Sequence, residues 1–232
     1  MIPKTIHYCW FGGKPLPQSF LSLLEGWKKI LPDYKIVRWD ESNFDVALNP
    51  YVREAYRMGS FAHVSDVCRL KALYDHGGIY LDTDVEVVKS FDPYLSLHSF
   101  VSREYGFIGT GVIGAEPRSE WIGEWLKHYQ SRHFINRWGH PVRTPNTTVL
   151  TLTLLPALDP ALHPVILPMN LFCGVEAPDG TMTAGAETVS VHHFNSSWNS
   201  GKRTLATRIR TIARGLGVRY LHRHLGHNKN IP

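Results

Sequence analysis

The chain has 232 residues, 43% of them apolar and 19% charged, with a formal charge of +5, which suits one sizeable globular domain with its own core. No apolar run reaches the length of a bilayer span and Met1-Ile2-Pro3-Lys4 begins no secretory signal, so neither an integral membrane protein nor an exported one is expected. Cys9, Cys68 and Cys173 are odd in number and scattered, without metal-ligand spacing, which fits free thiols in a reducing, cytoplasmic compartment.

In chain order, residues 5–10 read as a strand, followed by a loop rich in glycine and proline. Residues 18–31 read as a helix that stops before Pro32, and residues 35–39 as a second short strand. A helix over 50–58 and another over 60–76 follow, the latter ended by the pair Gly77-Gly78. The apolar run Gly78-Ile79-Tyr80-Leu81 then delivers Asp82-Thr83-Asp84, after which 85–88 is apolar apart from Glu86. Farther on, residues 107–115 read as a strand, and 118–136 and 146–155 as helices. Strands alternating with helices predict an α/β domain with a mostly parallel sheet covered on both faces. Ligands in such sheets bind beyond the carboxyl ends of the strands. The interval from about 92 to 188 carries no assignable motif.

Asp82 and Asp84 carry the chemistry. Residues two apart on a strand project the same way, so the two carboxylates meet where the strand ends or bends. Like charges that close repel unless a cation joins them. Mg2+ and Mn2+ are held by a few carboxylates together with substrate phosphates, so the pair suits a metal–diphosphate site. A solvated strand end would show the same two residues. The preceding helix adds a second feature: Asp66 and Arg69 are three apart, share a face and sit among apolar residues where an unpaired charge is costly.

Ser65-Asp66-x-x-Arg69, followed by Tyr74-x-x-Gly77-Gly78-Ile79-Tyr80-Leu81-Asp82-x-Asp84, resembles the sugar-nucleotide site of the DXD-type glycosyltransferases of family 32. That family includes bacterial capsule and lipopolysaccharide transferases, yeast initiating α-1,6-mannosyltransferases and relatives of the clostridial glucosylating toxins. Ile2-Pro3-Lys4-x-Ile6-His7-Tyr8-x-Trp10-Phe11-Gly12-Gly13 is similar to the family's first strand and loop. His192-His193-Phe194-Asn195-Ser196-Ser197-Trp198 is similar to its closing loop. Three ordered blocks spanning residues 2–198 are more specific than any one of them.

The resemblance implies a GT-A fold, a Rossmann-like mixed sheet flanked by helices, over residues 1–200. It implies Mn2+ or Mg2+ as cofactor and a nucleotide-sugar, a UDP-sugar or GDP-mannose, as donor cosubstrate. Asp84 would ligate the metal directly, and Asp82 would act through a metal-bound water or the donor's ribose and sugar. Asp66, with Ser65 beside it, would accept from donor-sugar hydroxyls, and Arg69 would lie near the sugar and diphosphate. Asp66, Arg69 and Asp82 are therefore the expected catalytic residues. Trp10 would stack on the base, with a core aromatic as its structural alternative, and Ser196 and Trp198 would reach the diphosphate. In the toxin relatives a metal-ligating carboxylate stands five residues before the tryptophan; here that position is His193, with His192 adjoining it. The family retains anomeric configuration, and its acceptors make a glycan or lipid-linked saccharide of surface polysaccharide synthesis the expected partner.

The basic charge lies in the C-terminal segment. Eight cations and no acid follow residue 201, which against +5 for the whole chain leaves −3 for the remainder. Leu205, Ile209, Ile212 and Leu216 follow helical spacing, so residues 201–232 read as a basic helical appendage. Such a helix can rest on an anionic membrane at the cytoplasmic face, or dock its apolar stripe on the domain. No recognised nucleic-acid module accompanies the charge, so no nucleic-acid partner is expected. Two other functions fit less of the sequence. A DxD metal-dependent phosphohydrolase of the haloacid-dehalogenase type needs threonine or valine where Glu86 stands, and a downstream acidic motif that Asp159 and Asp179 do not form. A membrane-binding module led by the basic segment explains residues 201–232 and nothing upstream.

Overall fold

The computed structural model describes residues 1–194. Ser196, Trp198, the basic segment 201–232 and the expected boundary at residue 200 lie outside the described residues.

The central sheet has six strands: β1 (Thr5–Cys9), β2 (Lys35–Trp39), β3 (Gly78–Leu81), β5 (Ser99–Glu104), β6 (Phe107–Ala115) and β7 (Val165–Leu167), in the order β2-β1-β3-β6-β5-β7. Its pairings are parallel except those made by β6, which runs against β3 and β5. The sheet is thus mixed, with five strands sharing one direction. The antiparallel strand arises because β5 and β6 are joined by the tight turn Tyr105-Gly106, where both residues have positive φ (45° and 88°). Two short sheets lie beside it. β4 (Val85–Val87) pairs antiparallel with β10 (Ser190–His192), and β8 (Val175–Glu176) with β9 (Met182–Thr183).

Helices cover both faces. Helix α1 (Gln18–Ile30) buries Phe20, Leu24 and Trp27, a stripe at helical spacing. The Trp27 indole donates to the Val85 carbonyl at 2.9 Å and so fixes β4 to this helix. Helix α2 (Pro50–Arg57) starts at Asn49, whose side chain accepts from the Val52 amide at 2.9 Å. Helix α3 (Phe61–His76) is buried along most of its circumference and ends at Gly77, φ 63°, where a Cβ would lie 2.6 Å from Pro117 Cδ. Helix α4 (Glu120–Gln130) is shorter than the expected 118–136. Arg118 has φ 61°, outside helical space. At the other end the chain turns away after Gln130 to bury Phe134 against Tyr51 and His63, and the Glu54 carboxylate accepts the Ile135 amide at 2.9 Å. The helical segment 146–157 contains a π-helical turn at Leu150–Leu154.

Strand alternation divides the core between the two faces. Tyr80 and Ile113 pack with α2, α3 and α4 on one side; Ile79, Leu81 and Val112 pack with α1, Phe91, Phe100 and Phe172 on the other. No helix among the described residues is long and apolar enough to cross a membrane.

Candidate active site

β1 and β3 lie side by side and parallel, so the segments that follow them leave the sheet at the same edge. One segment carries Trp10 and the glycine loop, the other Asp82-Thr83-Asp84. The carboxylates sit in a turn between β3 and β4 rather than on a continuous strand, closed by the Val85 amide donating to the Asp82 carbonyl at 3.1 Å. The Asp82 amide donates to the Gly111 carbonyl at 2.9 Å, which extends the β3–β6 ladder by one residue and fixes where the turn begins. The loop after β1 is held against the start of α3: a Cβ at Gly12 would lie 2.3 Å from the Phe61 ring, and Gly12 has φ 93°.

Arg69 lies beneath the turn, 3% exposed. Its Nη2 is 3.2 Å from Asp66 Oδ1 and 3.3 Å from Asp82 Oδ1. Nη1 donates to the Thr110 carbonyl at 2.7 Å, Nε to the Ser65 carbonyl at 3.3 Å, and the guanidinium sits 4.4 Å from the Tyr80 ring centroid. Tyr80 also donates its hydroxyl to Asp82 Oδ1 at 2.8 Å. One oxygen of Asp82 is therefore held by two donors from below. Asp66, 4% exposed, and Arg69 together form a layer one side chain below the Asp82 carboxylate. The donor contacts expected of these two residues would be made from that buried layer.

The third side chain comes from β10. It pairs His192 with Val85, and the His193 amide donates to the Asp84 carbonyl at 3.0 Å, so the closing segment runs alongside the turn. Alternation then sends the adjacent histidines to opposite sides. His192 Nε2 lies 3.2 Å from Asp84 Oδ1, whereas His193 Nε2 lies 2.9 Å from Glu86 Oε2. Donor atoms of Asp82, Asp84 and His192 fall within 4.8 Å of one another, and His193 does not join them. Counting back from Trp198 points to His193 and leaves His192 as its alternative; the structure brings His192 to the two acids, and spacing alone carries no information on which side each of the adjacent histidines takes. Phe194, at φ 50°, folds back to stack on the His192 ring with centroids 4.0 Å apart.

The space for that ring is made by a glycine. A Cβ on Gly111 would lie 2.8 Å from His192 Cε1 and 3.2 Å from Asp82 Oδ2. A hollow lined by two carboxylates and an imidazole suits a divalent cation with oxygen and nitrogen ligands, so the residues present fit the metal that the DXD motif implies.

Burial lifts Asp66 to about 7, the nearby Arg69 charge opposing the rise and Asp82 adding to it. The single guanidinium is divided between two carboxylates, which is why it does not hold Asp66 low. Burial alone would lower His192, but its bonds to Asp84 and Cys173 and the charges of Asp84 and Glu104 outweigh burial and raise it well above the ordinary value. A cation in the hollow would take the place of that proton.

Trp10 is half-buried, and its indole donates to the Lys14 carbonyl at 2.7 Å. The Ser65 hydroxyl donates to the Phe61 carbonyl one turn back at 3.0 Å. Gly111, Phe194 and the Tyr80 hydroxyl are site residues that sequence reasoning missed. Only Tyr80, two residues before Asp82, carried a local signal.

Residues 17–101 match the family model described as a glycosyltransferase sugar-binding region containing a DXD motif. The matched residues take in Asp66, Arg69, Asp82 and Asp84 and just over a third of the chain. The chain is 27% identical over 162 residues to inositol phosphoceramide mannosyltransferase 1 of Schizosaccharomyces pombe, covering 64% of this chain and 47% of the relative. It is 33% identical over 106 residues to inositol phosphoceramide mannosyltransferase 3 of the same yeast, covering 44% and 30%. Against the solved PaToxG glycosyltransferase the likeness has a TM-score of 0.48 at 21% identity, over 54% of this chain and 59% of that one. The chain spans less than half the length of the two yeast relatives.

Proposed function

We propose that the chain is a divalent-metal-dependent glycosyltransferase that moves a hexosyl group from a nucleoside-diphosphate sugar to a glycan or lipid-linked saccharide, with retention of anomeric configuration. The observation that carries this reading is the convergence of Asp82, Asp84 and His192 within 4.8 Å at the carboxyl edge of β3. Asp84 and His192 would hold the cation, with Mn2+ favoured over Mg2+ by the imidazole. When bound, it would supply positive charge opposite the diphosphate as the nucleotide leaves.

The chain's own residues supply the rest. Arg69 and Tyr80 orient Asp82 so that one oxygen faces the hollow, and Gly111 keeps the hollow open. Asp66 accepts from donor-sugar hydroxyls, and Trp10, on the neighbouring loop, stacks on the base. Names of the yeast relatives support mannose as the first sugar to test, with GDP-mannose as its donor; UDP-sugars are the second arm of the same panel. The DXD match and the mixed sheet support a GT-A domain. The basic segment 201–232 supports a peripheral position on an anionic cytoplasmic membrane face, as surface polysaccharide synthesis from a lipid-linked acceptor would require.

Thermal stabilisation by a panel of sugar nucleotides with Mn2+ tests the reading, since a ligand of the native state raises apparent stability. Stabilisation by one donor that needs the metal supports it; equal stabilisation by all, or none, contradicts it. Product stereochemistry tests retention: a β-linkage from an α-linked donor would exclude it.

A further inference from the structure

His192 faces a second set of donors on its other side. Nδ1 lies 3.9 Å from Glu104 Oε2, and donor atoms of Glu104, Cys173 and His192 fall within 4.8 Å of one another. The three converge from separate elements: Glu104 ends β5, Cys173 follows the helical turn Met169–Phe172, and His192 ends β10. The His192 amide donates to the Cys173 carbonyl at 3.1 Å, which fixes the last two together. Two glycines of β6, two apart and so on one face, leave the room. A Cβ at Gly109 would lie 3.0 Å from Glu104 Oε2, and one at Gly111 would meet the His192 ring.

We propose that Glu104, Cys173 and His192 Nδ1 form a second metal site, selective for zinc and other thiophilic divalent ions, that competes with the DXD site for one imidazole. A thiolate, an imidazole nitrogen and a carboxylate oxygen are the ligands zinc takes at about 2.3, 2.0 and 2.1 Å, with a water completing the tetrahedron. Thiolate selects against Mg2+ and Mn2+, whereas the Asp82–Asp84 side offers the oxygens those ions prefer. On zinc binding the Cys173 thiol and the protonated His192 Nδ1 each give a proton to water. A neutral imidazole has one lone-pair nitrogen. Ligation through Nδ1 therefore puts the ring proton on Nε2, where it is donated to Asp84, and removes the nitrogen from the DXD side. The zinc site stands on geometry alone; its inhibitory consequence rests on the function proposed above.

Cobalt(II) is the optical probe, because a thiolate ligand gives a charge-transfer band that carboxylate and imidazole do not. Full-length protein titrated with Co2+ should develop this band, and zinc should abolish it. Cys173→Ser should lose the band and at least about tenfold in zinc affinity by chelator competition, while His193→Ala, which pairs with Glu86 outside both donor sets, keeps both. If Cys173→Ser does not fold, Glu104→Gln, on a partly exposed residue, should weaken zinc binding by the same order. No thiolate band in the wild type, or undiminished zinc affinity in both variants, overturns the site. In Mn2+-supported donor hydrolysis, zinc should inhibit the wild type and spare Cys173→Ser. Equal inhibition of both would overturn the competition while leaving the optical result intact. A protein without hydrolysis but with the thiolate band would fail the proposed function and keep the zinc site.

Discussion

Arg69 reaches across from helix α3 to place Nη2 3.3 Å from Asp82 Oδ1 and, with the same nitrogen, 3.2 Å from Asp66 Oδ1. A helix and a strand end are thereby joined through one guanidinium, whose Nη1 also holds the β6 backbone at Thr110. The DXD turn has a fixed floor because this single side chain touches three elements.

Removing that cation leaves the buried Asp66 carboxyl and the Asp82 carboxylate without the partner they share. Arg69→Ala should destabilise the fold by about 3–5 kcal/mol, measured by urea unfolding at neutral pH. Arg69→Lys should recover only part of this, since one ammonium cannot span both carboxylates and the Thr110 carbonyl. A cost below about 1 kcal/mol for Arg69→Ala would mean that the network does not carry the turn.

Asp66 gives a pH signature. Its carboxyl titrates near 3.8 in the unfolded chain and at about 7 in the fold. Between those values the folded state holds a proton the unfolded state has lost, so stability falls as pH rises. The contribution is complete below about pH 4 and gone above about pH 7. Wild-type protein should lose stability relative to Asp66→Asn across that window and then run level with it. Unfolding free energies of the two that stay parallel from pH 4 to 8 would contradict the buried, protonated carboxyl.

Gly111→Ala tests the hollow without touching a charge. The added Cβ meets the His192 ring, which must move or strain at a cost of about 1–3 kcal/mol. Mn2+ affinity should fall at least about tenfold with the fold retained. An unchanged affinity would mean that His192 is not held where the structure puts it.

His193 serves as the adjoining control. It pairs with Glu86, with its side chain about a third exposed, so His193→Ala should change stability by no more than about 1 kcal/mol and leave Mn2+ affinity within about twofold. A loss matching that of His192→Ala would restore the spacing-based choice of ligand.

The first half of the chain was legible because its signals are local. Pro32 follows the end of α1, Gly77 ends α3, and Ile79-Tyr80-Leu81 leads into the acids; each needs only its neighbours. The second half depends on long-range pairing. β5, β7 and β10 were not foreseen. β7 and β10 are three-residue strands with no alternation to read, and β5 is recognised only by its pairing with β6 across a shifted register at Val101/Arg103. For the same reason Glu104, Cys173 and the choice of His192 over His193 were hidden. They become neighbours only when β10 docks on β4, across more than a hundred residues of sequence.

Mn2+ binding followed by electron paramagnetic resonance, with GDP or UDP present, tests the three-donor site most directly. The wild type should bind the ion with nucleotide-enhanced affinity, His193→Ala should match it, and Asp84→Asn and His192→Ala should each lose at least about tenfold. Binding that survives unchanged in Asp84→Asn and His192→Ala would contradict a metal–diphosphate site at the end of β3.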